Sequence, residues 1–341
     1  MGMEFSDTDF PAFYRHDDDV TRWGGPNVDN SYVRARVDGR STYRLRGNVS
    51  GIHDLIISPR NGDMHMGRFG VSADLDSSQM DIAPDGSFKL TLSPEPAPEG
   101  VKNWIQLPPD VDHVGIRQYF YDWENETPAD FEIVKVGNEG RAPPRVTPEL
   151  VAQRLDYAAR WAEAVIPFWN DYLREWSARV EANTLQPPII PRGGSQDIRH
   201  GGGRFDLAPD EALIIEFDPP QARYWSYQWY TDGWFESPDF ANRVTSLNGA
   251  QAHTDSDGKV RIVVAHRDPG VQNWLDTEGR RQASINYRYV WTQDEPMPST
   301  RVVPFAEIRR HLPADTPHFD ADARREQIAV RQAHVQRRFR R

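Results

Sequence analysis

Residues 223–279 read RYWSYQWYTDGWFESPDFANRVTSLNGAQAHTDSDGKVRIVVAHRDPGVQNWLDTEG. Two runs in this stretch, 223–230 and 258–265, are rich in aromatic and β-branched residues. Thr254-Asp255-Ser256-Asp257-Gly258 supplies turn chemistry ahead of the second, so the stretch reads as strands joined by tight turns. His266-Arg267-Asp268-Pro269-Gly270 follows as a polar corner, and four of the eleven tryptophans (Trp225, Trp229, Trp234 and Trp274) lie alongside. Aromatic walls beside a turn rich in charge and backbone donors suit a small-molecule pocket.

The same pattern extends in both directions. Residues 211–217 and 283–291 are further strand candidates, the latter with Ile285, Tyr287, Tyr289 and Trp291 on one face. Residues 43–47, 52–58, 86–92, 114–121 and 131–136 continue the series, with Phe88, Leu90 and Leu92 alternating cleanly. Glycine, proline and aspartate clusters such as Ala83-Pro84-Asp85-Gly86 separate them, the spacing of a sandwich or an open barrel. Residues 137–147, with Pro143-Pro144, read as a linker. Thr147-Pro148-Glu149 then opens a helix with a hydroxyl N-cap, a first-turn proline and a first-turn acid. Val151, Leu155, Ala158, Ala162, Val165, Trp169, Tyr172, Trp176 and Val180 mark its apolar stripe, suited to covering a sheet, and Pro167 is expected to kink or split it. Residues 184–205 read as a loop rich in proline and glycine. Beyond Pro304 a short helix stops at Pro313, and an arginine-rich helix runs from about Asp320. No repeat at a fixed period is evident.

The expected fold is therefore α+β and β-dominated. Two antiparallel sandwich- or barrel-like lobes, 1–145 and 184–303, are bridged by a long proline-interrupted helix within 146–183, and a helical basic tail occupies 304–341.

A chain of 341 residues has ample core for two lobes. Its net charge of -11 argues against a broad nucleic-acid surface. It has no cysteine, which excludes disulfides, thiolate metal sites and cysteine nucleophiles. The cysteine count, with a first stretch resembling no signal peptide, makes the cytoplasm the expected compartment. No run is long and apolar enough to span a membrane. Met1-Gly2 with Ser6 matches a loose myristoylation pattern that chance explains.

Trp234-Phe235-Glu236-Ser237-Pro238-Asp239, the run from Asn242-Arg243 to Asn248, the Asp257-Gly258 turn and Asp268-Pro269-Gly270-x-x-Asn273-Trp274-Leu275-Asp276-Thr277-x-Gly279 carry a more specific signal. Over about residues 205–300 the chain resembles the bacterial family known as domain of unknown function 1214. The resemblance implies a β-dominated fold, often joined to a companion domain; it brings no catalytic residues with it.

The candidate chemistry falls in a few places. Arg192, Arg199, His200 and Arg204 stand among five glycines between 193 and 203, residue types that can grip an anion; a linker is the plain alternative. It is neither a Walker loop nor a dinucleotide fingerprint. His266, Arg267 and Asp268 have the residue types for acid–base work, against a structural corner in which the acids cap backbone N–H groups. His16-Asp17-Asp18-Asp19, His53-Asp54 and Asp63-Met64-His65 lack any recognised metal spacing, so no metal is expected. Residues 323–341 hold seven arginines against one acid, Glu326, and read as a helix docked on the acidic body or a second subunit, with an anionic surface as the lesser option.

Together these point to an enzyme acting on a lipophilic small molecule, a terpenoid- or steroid-like alcohol or its anionic ester. Trp225, Trp229, Tyr230, Trp234 and Trp274 would hold the ligand's body, the arginine–glycine stretch its anionic group, and His266 with Asp268 would move a proton. Elimination or hydration fits best, because no redox-cofactor motif is found. The alternatives are a non-catalytic hydrophobic-ligand-binding module, compatible with a homo-oligomer, and a polysaccharide-active enzyme.

Overall fold

In the computed structural model, which describes residues 7–191 and 194–339, side-chain alternation sorts the strands into layers. Strand Ser87–Ser93 shows the expected pattern, Phe88, Leu90 and Leu92 inward and Lys89 out. The N-terminal lobe contains β1 (Tyr14–Asp17), β2 (Asn30–Arg36), β3 (Tyr43–Asn48), β4 (Asp54–Asn61), β5 (Gly70–Val71), β6 (Leu75–Asp76), β7 (Ser87–Ser93), β8 (Trp104–Gln106), β9 (His113–Tyr119) and β10 (Phe131–Lys135). Helix α1 (Pro148–Ser177) follows. The C-terminal lobe contains β11 (Thr184–Leu185), β12 (Ile198–Asp206), β13 (Glu211–Phe217), β14 (Ala222–Tyr230), β15 (Ser246–Asn248), β16 (Val260–Ala265), β17 (Trp274–Asp276), β18 (Gln282–Thr292) and β19 (Ser299–Pro304), and helix α2 (Ala321–Phe339) ends the described chain. The fold is mixed α+β and β-dominated, with four sheets among the described residues and none closed into a barrel.

Both lobes are built to one plan. The larger sheets run β1-β2-β9-β4-β5 and β11-β12-β18-β14-β15, with β6 also pairing β4. The smaller sheets run β10-β3-β7-β8 and β19-β13-β16-β17, and in each the last pair is parallel. The chain is thus an internal duplication, a correction to the reading that found no repeat. Diverged copies keep strand order and inward–outward parity while few residue identities remain to mark the period by eye.

Within each lobe the two sheets enclose a core, with Leu45, Leu55, Phe88 and Val114 in one and Phe205, Leu213, Trp229 and Ile285 in the other. The outer faces of the two larger sheets then meet, through Ile56 and Tyr119 on one side and Ile198, Tyr224 and Val290 on the other. Strands β4 and β14 are therefore covered on both faces, which is why they read as almost continuously buried.

Helix α1 begins as expected, with the Leu150 N–H donating to Thr147 Oγ1 at 3.2 Å. It runs unbroken for 30 residues through Pro167, so the expected split does not occur. The stretch 184–205 is only partly a loop. Gly201, Gly202 and Gly203 lie in extended β12, where a Cβ on Gly201 would meet the Tyr287 ring at 1.9 Å and one on Gly203 the Thr184 carbonyl at 2.0 Å. Close approach of neighbouring strands, rather than convergence of N–H groups on an anion, accounts for these two glycines. Arg192 and the Met1–Gly2–Ser6 pattern lie outside the described residues. No helix among those residues is long and apolar enough to cross a membrane.

Candidate functional site

The period of two along a strand decides which side chains reach the interface between lobes. On β9, Val114 and Ile116 enter the N-terminal core, so Gly115, Arg117 and Tyr119 point towards the other lobe. Arg117 stands in register between Tyr32 on β2 and Ile56 on β4. On β18, Ile285, Tyr287 and Tyr289 enter the C-terminal core, which turns Arg288 outward between His200 on β12 and Ser226 on β14. Strands β9 and β18 are each third along the five-strand paths of their sheets. Equivalent strands of the two copies thus present one arginine each to a shared cleft.

That cleft has two adjoining chambers of about 210 and 340 Å³. Arg117, His200, Arg288 and Trp169 line both. The smaller adds Tyr32, Arg34, Arg60 and Asp63, and the larger adds Leu173, Trp176, Ile189 and Phe235. The aromatic rim centres on Trp23, whose ring lies 5.2 Å from Trp161, 5.9 Å from Trp234 and 6.4 Å from Trp169. From the stripe of helix α1 read as sheet-covering, Trp169 and Trp176 line the cleft, and Trp161, outside that stripe, packs on Trp23.

The cations in the cleft outnumber their partners. Arg34 donates to Asp63 Oδ1 at 3.0 Å, and Trp161 Nε1 occupies the other oxygen at 3.0 Å. Burial would raise the Asp63 carboxyl, but Arg34 and the Trp161 bond hold it well below the usual carboxylate range. Arg288 is 5% exposed; its Nη2 donates to the Gly25 carbonyl at 2.8 Å, while Nη1 is buried without a partner. Arg60, 7% exposed, lies over Gly115 and Phe69 with Nη2 unpartnered. The Arg117 side chain makes no hydrogen bond or ion pair among the described residues. Burial, and then the Arg117 and Arg34 charges, press Arg60 well below an ordinary guanidinium. Burial, then Arg288 and Arg117, likewise hold His200 well below the usual imidazole value, so it is neutral at physiological pH. The Trp169 indole N–H is a further buried donor without a partner. Three guanidinium groups lacking a carboxylate, with unused donors, form a receptor for an anion.

The residues singled out from sequence separate by parity. His200 lines the cleft, and Trp234 reaches its rim through Trp23. Tyr230 lies behind it, its hydroxyl donating to the Pro26 carbonyl at 2.8 Å and its ring 5.7 Å from Arg288. Trp225 and Trp229 have the opposite parity and lie in the C-terminal core, where Trp229 Nε1 donates to the Asp276 carbonyl at 2.8 Å. Trp274 is buried in a satellite core, its Nε1 donating to the Ala265 carbonyl at 3.0 Å. Arg199 is paired with Glu295, and Arg204 donates to the Val180 carbonyl at 3.1 Å.

The corner His266–Asp268 lies apart from both chambers. His266 Nδ1 contacts Thr277 Oγ1 at 2.6 Å, Arg267 stacks over Phe305, and Asp268 accepts from Gly270 N–H at 2.8 Å and from Arg324 on α2 at 2.9 Å. Sequence reasoning missed Arg60, Arg117, Arg288, Trp23 and the part α1 plays in the cleft. The available signal was an arginine inside an otherwise apolar strand, in Ile116-Arg117-Gln118-Tyr119 and again in Tyr287-Arg288-Tyr289-Val290.

Comparison with known proteins agrees with the duplication. A family described as Protein of unknown function (DUF1214) matches twice, over residues 28–121 and 201–294, so the N-terminal lobe carries the resemblance as well as the C-terminal one. An uncharacterized protein from Burkholderia cenocepacia is similar, at 33% identity and a TM-score of 0.81, over 90% of this chain and 85% of that one. A Vibrio parahaemolyticus protein shares the fold, with 14% identity and a TM-score of 0.50 over 82% of this chain and 90% of its own. No curated protein matches. With both lobes matched, this chain belongs to the DUF1214 family of proteins of unknown function.

Proposed function

We propose that the cleft between the lobes binds a small amphipathic anion, such as the anionic ester of a lipophilic alcohol. The carrying observation is that Arg117 and Arg288 face one cavity from equivalent strands with no carboxylate on either. The aromatic rim of Trp23, Trp161 and Trp169 and the larger chamber would take the apolar body, as apolar walls with a few convergent polar groups do in ligand sites. Thermal denaturation with a terpenoid alcohol, its phosphate ester and its sulfate ester tests this. A ligand at about a hundred times its Kd adds roughly 2.7 kcal/mol. Either ester should stabilise the protein where the parent alcohol does not, and Arg117→Gln/Arg288→Gln should abolish the shift. Equal stabilisation by the alcohol, or a shift surviving in the double variant, would exclude the reading.

His200 favours a second reading, a lyase in the same cleft. A neutral imidazole beside the bound anion can accept a proton. In an elimination it would take the proton from the carbon adjacent to the C–O carbon. The C–H electron pair would become the double bond, and the C–O pair would depart on the ester anion held by the arginines. His200→Gln should then retain binding but lose formation of the alkene; binding without turnover in the unaltered protein would leave a carrier.

A further inference from the structure

We infer that the headgroup this cleft selects is a phosphoryl monoester, a compact dianion gripped jointly by Arg60, Arg117 and Arg288. The inference rests on the cleft being an anion site and adds the charge and shape of the anion.

The charge follows from the pairing inside the smaller chamber. Four arginines line it, Arg34, Arg60, Arg117 and Arg288, against two carboxylates, Asp17 and Asp63. Asp63 is engaged by Arg34 and Trp161, and Asp17 Oδ2 lies 2.6 Å from His16 Nδ1. Neither forms an ion pair with Arg60, Arg117 or Arg288. A single negative charge would leave two of these three cations uncompensated in a largely buried space. A phosphate monoester carries about -1.5 to -2 at pH 7 and offers three acceptor oxygens.

The shape follows from where the three stand. Arg60 lines only the smaller chamber, whereas Arg117 and Arg288 line the wall common to both. Arg60 lies over Gly115, two residues from Arg117 along β9, its Cδ 3.7 Å from the position a Cβ there would take. Arg117 and Arg288 both bear electrostatically on Tyr32, Tyr119 and His200, so the two charges share one neighbourhood. Three guanidinium groups lining one chamber of about 210 Å³ suit one compact group better than two carboxylates held apart by a chain. The ester oxygen then faces the larger chamber, where Leu173, Trp176 and Phe235 receive the organic portion.

Calorimetric titration of the full chain with octyl phosphate, octyl sulfate and octanoate, at constant ionic strength from pH 5 to 7.5, tests the inference. The phosphate's second ionisation lies near pH 6, so its affinity should rise about tenfold over this range relative to that of the sulfate, which keeps one charge. Because the sulfate experiences the same protein titrations, the ratio isolates the ligand's charge. Arg60→Gln should weaken both esters but the phosphate more, flattening the rise of the phosphate-to-sulfate ratio with pH, and Arg60→Lys should restore part of that rise. A phosphate-to-sulfate ratio that does not change with pH, or tighter binding of octanoate at pH 7.5, overturns the dianion and leaves the anion cleft standing. No binding of any of the three overturns the cleft reading as well.

Discussion

Arg117 and Arg288 occupy the third strand along two five-strand paths of equivalent order, and both face the same cavity. Duplication accounts for this arrangement economically. Packing the equivalent faces of two copies against each other brings equivalent positions together, so one outward-facing arginine per copy becomes a pair. Like charges placed together without a counter-anion oppose folding, and a site held for a ligand can carry that cost.

Substitution of Arg117 should therefore separate stability from binding. Arg117→Gln removes a cation that has no partner and relieves its repulsion of Arg60. The ligand-free protein is expected to gain about 0.5–1 kcal/mol in urea denaturation. Affinity for an anionic ester should fall at least tenfold in the same variant. Loss of stability instead would mean that Arg117 has a structural role in the empty protein.

Gly25 fixes Arg288, and its replacement should act on both fold and site. Its φ is +70°, its carbonyl accepts from Arg288 Nη2, and its N–H donates to the Phe235 carbonyl at 2.8 Å. A Cβ there would lie 2.3 Å from the Phe235 ring. Gly25→Ala is expected to cost about 2 kcal/mol from the left-handed backbone and the clash. The shift of Arg288 should weaken anion binding in parallel. A variant with wild-type affinity would show that this carbonyl does not position the guanidinium.

Much of the fold was legible because it depends on local chemistry. The alternation in Phe88-Lys89-Leu90 and the Thr147-Pro148-Glu149 start of α1 are decided by neighbours in sequence. The site was less legible because it depends on which face of a buried strand meets another lobe. Trp225 and Trp229 share a strand with Tyr224 and Tyr230, and only parity relative to a second lobe separates core from interface. His200, singled out for its residue type, lines the cleft; Gly201 and Gly203 beside it are accounted for by the close approach of Tyr287 and Thr184. Arg117 lay unnoticed in a strand because its meaning arises from Arg288, 171 residues away.

The arginine-rich end of the chain is likewise more than a solvated face. Arg324, Arg331 and Arg338, seven residues apart on α2, are all at most 5% exposed. Arg331 Nε donates to the Phe240 carbonyl at 2.8 Å, and Nη1 and Nη2 reach the Ser246 carbonyl and hydroxyl at 3.2 and 2.8 Å, with the guanidinium stacked over Trp123 of the N-terminal lobe. Arg338 adds bonds to the Val28 and Asn30 carbonyls, so α2 fastens one lobe to the other. Arg331→Ala should cost about 3 kcal/mol or more, by leaving buried acceptors unpaired. Lysine should recover little, since one ammonium cannot reproduce the fork and the stack. Urea denaturation checks both; a cost under about 1 kcal/mol for Arg331→Ala would be incompatible with this role.

Glu126 gives the fold a pH dependence whose sign is fixed by the direction of its shift. Its side chain is 17% exposed, and Oε2 accepts the Tyr121 N–H at 2.7 Å. Burial, with the nearby Asp122 and Asp29 charges, outweighs the bonds that favour ionisation and raises the carboxyl from an ordinary 4.5 to about 7. Between these values the folded protein holds a proton that the unfolded chain has released. Stability from this group is therefore complete below pH 4.5, falls as the pH rises to 7, and then stays level. The loss is about 1–3 kcal/mol. Glu126→Gln keeps an acceptor for Tyr121 without the charge, so it should match the wild-type protein at pH 4.5 and exceed it by that amount at pH 8. Denaturation midpoints at the two pH values measure the difference, and a constant offset between the two proteins would show that Glu126 ionises as readily in the fold as outside it.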